Sequence, residues 1–245
     1  MIDKLKMVSL RFLFQIFKTQ LFIIQSNWSS MESGWNPMLR REGGNYYTIS
    51  TYPRPVYGEK VKKENGFYKR YWDPKRSKLS AALKKGLRYV PFEKDSRVLY
   101  LGASTGTTVS HIVDLCPEGQ VFAVEYSFES FTKLLNISGE RKNLFPFLED
   151  AMNIENISGF INSPEVIYQD ISQRHQVQIF NLAAGTFKSV KKAILIIKVR
   201  AISARQNEKD IVRNSIKGIK DFKVLDILDL KPFDKSNYLV YLERQ

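Results

Sequence analysis

Arg97-Val98-Leu99-Tyr100-Leu101-Gly102-Ala103-Ser104-Thr105-Gly106-Thr107-Thr108-Val109-Ser110-His111 decides the fold. It reads as an apolar strand, a small-residue turn and a helix start. Val98 to Leu101 is β-favouring without polar alternation, the pattern of a parallel strand buried on both faces. Gly102 and Gly106 let the main chain approach a ligand with no Cβ in the way. Ser104, Thr107 and Thr108 supply hydroxyls, and the helix they open presents free N–H groups. The stretch is a nucleotide-type cradle.

A second strand sharpens it. Gln120-Val121-Phe122-Ala123-Val124-Glu125 ends in an acid 19 positions after Gly106. A carboxylate at that strand tip can accept from both ribose hydroxyls of a bound nucleoside. The turn has neither a Walker lysine nor the Gly-x-Gly-x-x-Gly spacing of dinucleotide sites. An open turn, a ribose-binding acid and no phosphate clamp fit S-adenosylmethionine better than NAD or ATP.

The 245 residues can hold one sizeable domain and a smaller one. A net charge of +13 points to a polyanionic partner, nucleic acid before an anionic membrane surface. Cys116 is the only cysteine, and His111 and His175 are the only histidines. That excludes a disulfide framework and a thiolate metal site, argues against a histidine-built one, and suits a reducing compartment. His111 itself reads as an ordinary residue of the helix after the glycine turn.

Residues 1–30 stand apart. Met7 to Ile24 is strongly apolar but interrupted by Arg11, Gln15 and Lys18, which argues against a spanning helix. A membrane-surface helix fits the pattern; an extension preceding a working start at Met31 fits it better, and no stable membrane association is expected. This segment carries a net +3, so +10 of the charge belongs to the rest of the chain.

Residues 31–74 read as a small β-rich unit. Tyr46 to Tyr52 and Gly66 to Trp72 are aromatic strand-like runs, and Glu64-Asn65-Gly66 offers a hairpin turn. Lys60, Lys62, Lys63, Lys69, Arg70, Lys75, Arg76 and Lys78 cluster here among aromatics. The mixture suits RNA, with cations on phosphates and rings on bases. A solvated basic face on an amphipathic hairpin accounts for it equally well.

Residues 75–245 alternate strand and helix. A helix is predicted over 75–87, followed by strands at 98–101, 120–125, 144–148, 165–169 and 193–199. Helices at 129–141, 176–187 and 204–220 lie between or after them, and strands 222–228 and 238–242 close the chain as an antiparallel pair. This is an α/β class fold: a Rossmann-like, mostly parallel sheet with the last strand antiparallel and helices on both faces. Ligands of such sheets sit at the carboxyl ends of the strands. Gly102, Glu125, Asp150, Asp170 and Lys198 stand at five such ends. Asp150 can accept from an adenine amino group, with Ala151 leaving room for the ring.

These blocks resemble the fibrillarin family, the S-adenosylmethionine-dependent RNA 2′-O-methyltransferases of box C/D guide ribonucleoproteins. The resemblance runs from about Val56 to the C-terminus. It rests on Val56-Tyr57-Gly58-Glu59, Arg76-Ser77-Lys78-Leu79-Ser80-Ala81-Ala82, Val98 to His111, Pro117-Glu118-Gly119 with Val124-Glu125-Tyr126-Ser127, Glu149-Asp150-Ala151 and Asp170-Ile171-Ser172-Gln173. The chain departs from the family in Ser104-Thr105, in Gln169 where an alanine is usual, in Lys198-Val199-Arg200 and after Asp150.

The resemblance implies a catalytic trio of Lys78, Asp170 and Lys198. It also implies cofactor contacts from Gly102, Ala103, Ser104, Gly106, Thr107, Thr108, Glu125, Tyr126, Asp150, Ala151, Asp170 and Gln173, with no metal. It implies as partners a box C/D guide RNA, rRNA and tRNA substrates, a Nop-family scaffold and a kink-turn-binding protein. With no Gly/Arg-rich tail, the chain is similar to archaeal, cytoplasmic forms. In such a site the lysines position and stabilise a developing alkoxide while the aspartate orients them. An unguided RNA methyltransferase, and an RNA-binding module with a vestigial cofactor site, remain as alternatives.

Overall fold

The computed structural model describes residues 36–245; the apolar stretch Met7 to Ile24 falls outside the described residues. Two sheets are present. The smaller is antiparallel and contains β1 (Leu39–Glu42), β2 (Asn45–Ser50), β3 (Val61–Glu64) and β4 (Phe67–Tyr71), in the order β1-β2-β4-β3. Asn65 and Gly66 take φ of +50° and +83°, the mirror-image turn whose twist matches that of the flanking strands. The hairpin expected at Glu64-Asn65-Gly66 therefore joins β3 to β4, and β2 pairs on the other side of β4. The sequence reading has no β1 or β3. Leu-Arg-Arg-Glu and Val-Lys-Lys-Glu lack apolar alternation because both are charged edge strands.

The larger sheet contains β5 (Arg97–Leu101), β6 (Gln120–Glu125), β7 (Leu144–Leu148), β8 (Val166–Gln169), β9 (Lys192–Lys198), β10 (Phe222–Asp229) and β11 (Asn237–Arg244). Their order is β10-β11-β9-β8-β5-β6-β7. The run from β9 to β7 is parallel, and β11 lies antiparallel between β9 and β10. This is the Rossmann-like, mostly parallel sheet expected from the sequence. Pro146 sits in β7, an edge strand, where its missing N–H is tolerated.

The helices are α1 (Lys78–Lys84), α2 (Thr107–Leu115), α3 (Phe128–Glu140), a 3-10 segment (Ala151–Phe160), α4 (Gln176–Thr186), α5 (Val199–Ile202) and α6 (Glu208–Lys217). α1 starts later than the composition suggests. The Asp73 carboxylate accepts the Lys75 N–H at 2.8 Å, and its carbonyl accepts those of Arg76 and Ser77, so 73–77 is a turn. The helix expected over 204–220 is shorter because Asn207 caps α6, accepting the Lys209 N–H at 2.9 Å.

Alternation along the strands divides the core between the two faces of the large sheet. Val98 and Tyr100 face α1, α2 and the small sheet, packing in one cluster with Tyr46, Ile49, Trp72 and Leu79. Leu99 and Leu101 face the other way, with Ile179 and Phe180 of α4 and Ile211 of α6.

The small sheet meets α2 through a buried polar network. Arg70, fully buried, pairs with Glu59 and Asp114, and donates to Ser110. Burial opposes the charge, but Asp114 and Glu59 hold the guanidinium above its ordinary pKa. Of the cations read as an RNA-facing cluster, Arg70 is thus an internal anchor, and Lys69 is paired with Glu42 and Glu64. His111 is no ordinary helix residue either. It is completely buried, with Nδ1 2.8 Å from Thr48 Oγ1 and Nε2 2.8 Å from the Tyr57 hydroxyl, and it stacks on Trp72. Thr48 donates its hydrogen to Asp114, so His111 Nδ1 carries the proton toward Thr48 and Nε2 accepts from Tyr57. Burial, then the nearby Arg70 and Arg141, push the imidazole pKa well down, which keeps the ring neutral.

Candidate active site

A cavity of about 380 Å³ opens at the carboxyl ends of β5, β6, β8 and β9. Of the residues expected to hold a cofactor, Gly102, Ser104, Glu125, Tyr126, Ala151, Asp170 and Gln173 line it together. Lys198 lines it as well. Val124, Glu149, Ile171 and Ser172 complete the wall.

Glu125 is fixed before any ligand arrives. Its Oε2 accepts the Ser104 N–H at 2.7 Å and its Oε1 accepts the Ser127 N–H at 2.8 Å. A carboxylate offers about four lone-pair sites, so each oxygen keeps one for a diol. Asp150 lies beside the cavity. Its Oδ1 accepts from Met152 N–H at 2.9 Å and from Gln173 Nε2 at 2.8 Å, tying two cavity loops together. The buried Gln173 Oε1 has no protein partner.

Gly102 holds φ of +81°, and a Cβ there would stand 2.7 Å from the Asp170 carbonyl oxygen. The absent side chain lets the loop carrying Asp170 close over the turn. Ala103, Gly106, Thr107 and Thr108 do not line the cavity. Ala103 is buried, and a Cβ on Gly106 would collide with Ile137 Cδ1, so that glycine seats α3 against the turn. Thr107 gives its carbonyl to the Ser110 hydroxyl. Thr108 Oγ1 donates to Ser77 Oγ at 2.9 Å, and Ser77 is the N-cap immediately before Lys78.

The three residues of the expected trio meet. Lys78 Nζ donates to Asp170 Oδ2 at 3.1 Å. Lys198 Nζ is 2.8 Å from Asp170 Oδ1. That contact is an ion pair outside hydrogen-bond geometry, and Lys198 Nζ donates to the Asp170 carbonyl and to Ser172 Oγ, each at 3.0 Å. All three side chains are largely buried yet retain a solvent-facing edge, 20%, 11% and 18% exposed for Lys78, Asp170 and Lys198.

Two members of the site escaped the sequence reading. Asp234 Oδ2 lies 3.7 Å from Lys78 Nζ, so Lys78 sits between two carboxylates. Asp234 belongs to the loop between β10 and β11, and nothing local in Lys231-Pro232-Phe233-Asp234 marks it. Ser172 is the other; it belongs to the Asp170-Ile171-Ser172-Gln173 block that carries the family resemblance, which gave it no role of its own. Behind the trio, Tyr100 and Tyr168 pack with ring centroids 4.6 Å apart, and burial pushes both phenols well up.

The lining fits a nucleoside carrying no phosphate: a fixed carboxylate for a diol, and Lys198 as the only cation. The fibrillarin family model matches residues 41–245. The chain belongs to the fibrillarin family. It is 50% identical over 204 residues to the fibrillarin-like rRNA/tRNA 2′-O-methyltransferase of Picrophilus torridus, covering 83% of this chain and 96% of that one. Among solved fibrillarins, that of a fibrillarin/Nop5p complex superposes with a TM-score of 0.78 at 36% identity, over 85% of this chain and 98% of that one. The Aeropyrum pernix fibrillarin, described with natively bound S-adenosyl-L-methionine, superposes with a TM-score of 0.74 at 31% identity, over 83% and 97%. The matched span takes in both sheets, so the small sheet belongs to the fibrillarin homology as much as the Rossmann-like one does. Among the described residues no cluster of histidine, cysteine and carboxylate side chains could hold a metal, and no helix is long and apolar enough to cross a membrane.

Proposed function

We propose that this chain transfers the methyl group of S-adenosylmethionine to a ribose 2′-hydroxyl of rRNA and tRNA, as the catalytic subunit of a box C/D guide ribonucleoprotein. The observation that carries this reading is the Lys78–Asp170–Lys198 constellation: Asp170 and Lys198 line the cavity, and Lys78, outside the lining, pairs with Asp170. Bound S-adenosylmethionine supplies an electrophilic methyl on a sulfonium. Glu125 holds the ribose of that cofactor, Asp150 and Ala151 take the adenine edge, and Gly102, Ser104, Tyr126 and Gln173 complete the contacts. Ala103, Gly106, Thr107 and Thr108 support the turn from behind.

On the substrate side, Lys78 and Lys198 hold the 2′-oxygen in line with the methyl carbon and stabilise charge as it develops there. Asp170 locks both ammonium groups in place, and Asp234 braces Lys78. As the oxygen–carbon bond forms and the carbon–sulfur bond breaks, the hydroxyl proton departs to solvent along this polar edge, and a neutral thioether remains.

The guided mode is supported by a mismatch between charge and readout. Cations give affinity for phosphate without choosing a base. The small sheet, whose Arg70 is internal, offers no sequence-reading module. Specificity therefore comes from a guide RNA held by a Nop-family scaffold and a kink-turn-binding protein. The solved fibrillarin/Nop5p complex supports the Nop-family scaffold as a partner.

Methyl transfer from labelled S-adenosylmethionine to RNA tests the reading. With scaffold, kink-turn protein and guide present, one ribose chosen by the guide is methylated, and changing the guide moves the mark. Efficient site-specific methylation by the protein alone would replace the guided mode with an unguided one.

A further inference from the structure

Lys198 ends β9 with a strand neighbour on one side only, Asn237 of β11. Parallel pairing between β8 and β9 ends at Gln169 opposite Leu195, while β9 continues to Lys198. On the β8 side the main chain of Lys198 has no strand neighbour. It then turns at once into α5, of which Lys198 is the N-cap with φ −91° and ψ 93°.

The side chain of Gln176 fills the missing place. It is 1% exposed. Its Oε1 accepts the Lys198 N–H at 2.9 Å, and its Nε2 donates to the Lys198 carbonyl at 3.2 Å. A carboxamide carries one acceptor and one donor side by side, as a neighbouring peptide unit does. Gln169 Nε2 in turn donates to the Gln176 carbonyl at 2.7 Å, binding this clamp to the last residue of β8. Gln176 is also the first residue of α4, so it ends the loop that begins at Asp170. That loop is held to Lys198 at both ends: by Nζ on the Asp170 carbonyl and Ser172, and by Gln176 on the main chain.

We infer that Gln176 is a positioning residue that sets the direction of Lys198 by continuing the β8–β9 ladder with its side chain. It touches neither cofactor nor substrate and acts only through Lys198. The inference rests on the assignment of Lys198 to the methyl-transfer site, and its test separates the two. Gln176→Met keeps the volume and removes both hydrogen bonds. Gln176→Glu keeps the acceptor and sets a negative oxygen against the Lys198 carbonyl.

In the assembled complex both variants lower kcat at least tenfold with KM for S-adenosylmethionine within twofold. Competitive acetylation with acetic anhydride shows Lys198 several-fold more reactive relative to Lys78. In the wild-type protein the Lys198 amide is protected at least a hundredfold against hydrogen exchange, a measurement that needs neither variant nor activity. Unchanged kcat and unchanged Lys198 labelling, a lowered melting temperature with kcat intact, or an unprotected Lys198 amide would each overturn the inference. A wild-type complex that transfers no methyl group would overturn the proposed function, while exchange and labelling would still decide the role of Gln176.

Discussion

Thr108 donates a hydrogen bond to Ser77 across 2.9 Å, and this bond joins the first turn of α2 to the N-cap of α1. Ser77 makes no side-chain cap on its own helix, although a serine at that position ordinarily would. Its hydroxyl instead ties Lys78, the next residue, to the helix that follows the cofactor turn. Thr108→Val should therefore lower methyl transfer about fivefold, within the range of one hydrogen bond, and leave cofactor affinity nearly unchanged. The fold should persist because Ser77 is freed to cap α1. Single-turnover rates and calorimetric titration of the cofactor check the two halves, and Thr108→Ser should restore the rate.

Glu125 is held by two main-chain N–H groups and needs no reorganisation to accept a ribose diol. Removing it deletes two charge-assisted hydrogen bonds. Glu125→Ala should weaken S-adenosylmethionine binding by about 2–4 kcal/mol, with water recovering part of the loss. Calorimetry showing unchanged affinity would remove Glu125 from the cofactor site.

Gly102 and Gly106 should respond differently to alanine. At Gly102 the new methyl meets the Asp170 carbonyl, main chain that cannot swing aside. Gly102→Ala should displace Asp170 and cost methyl transfer at least as much as it costs stability. At Gly106 the methyl meets the end of the Ile137 side chain, which can turn away, and the remaining penalty is the left-handed backbone. Gly106→Ala should destabilise by about 1–3 kcal/mol while the trio keeps its geometry. Denaturant melts set beside kcat values distinguish the two.

His111 gives the fold a pH dependence of known sign. Its folded pKa lies well below the ordinary histidine value because of burial, with Arg70 and Arg141 adding to the effect. Below about pH 6.5 the unfolded chain gains a proton at this position that the folded one refuses, so stability falls as pH falls, by about 1.4 kcal/mol per unit. Glu59 is different. Burial opposes its ionisation, but Arg70 and the N–H groups of Tyr57 and Val56 outweigh that and hold its pKa low. Its stabilisation is present above the ordinary glutamate range and fails only under stronger acid. Between pH 6.5 and 5 the slope therefore belongs to His111. His111→Asn should start less stable and be nearly flat over that window in urea melts; an unchanged slope would show that the ring is not the linked group.

Arg70 is predicted to matter for folding rather than for RNA. Arg70→Met leaves Glu59 and Asp114 buried without their cation, and breaking a buried pair in this way costs about 3–5 kcal/mol. RNA affinity per folded molecule and its salt dependence should be unchanged, as measured by binding isotherms at several salt concentrations on the folded fraction.

The local chain chemistry was legible without coordinates wherever one stretch carries its own signal. The apolar strand, the glycine turn and the acid at Glu125 are contiguous patterns, and they determined the parallel sheet and the nucleoside cradle. Lys78, Asp170 and Lys198 lie far apart in sequence, and only the family resemblance singled them out together. What tertiary structure alone decided is the set of contacts that depend on two distant segments at once. Asp234 reaches Lys78 because β11 inserts between β9 and β10, and no local pattern near Asp234 carries that information. Arg70 and Lys69 look alike to composition, yet one is buried against Asp114 and Glu59 and the other pairs with Glu42 and Glu64, because alternate residues of β4 face opposite ways. Thr108 and Gly106 belong to the cradle by sequence but turn their backs to the cavity, since a helix start has a side facing the core as well as one facing the ligand. Burial and direction are properties of neighbours brought together by folding, and a hydroxyl, a cation or a missing side chain acquires its role only from them.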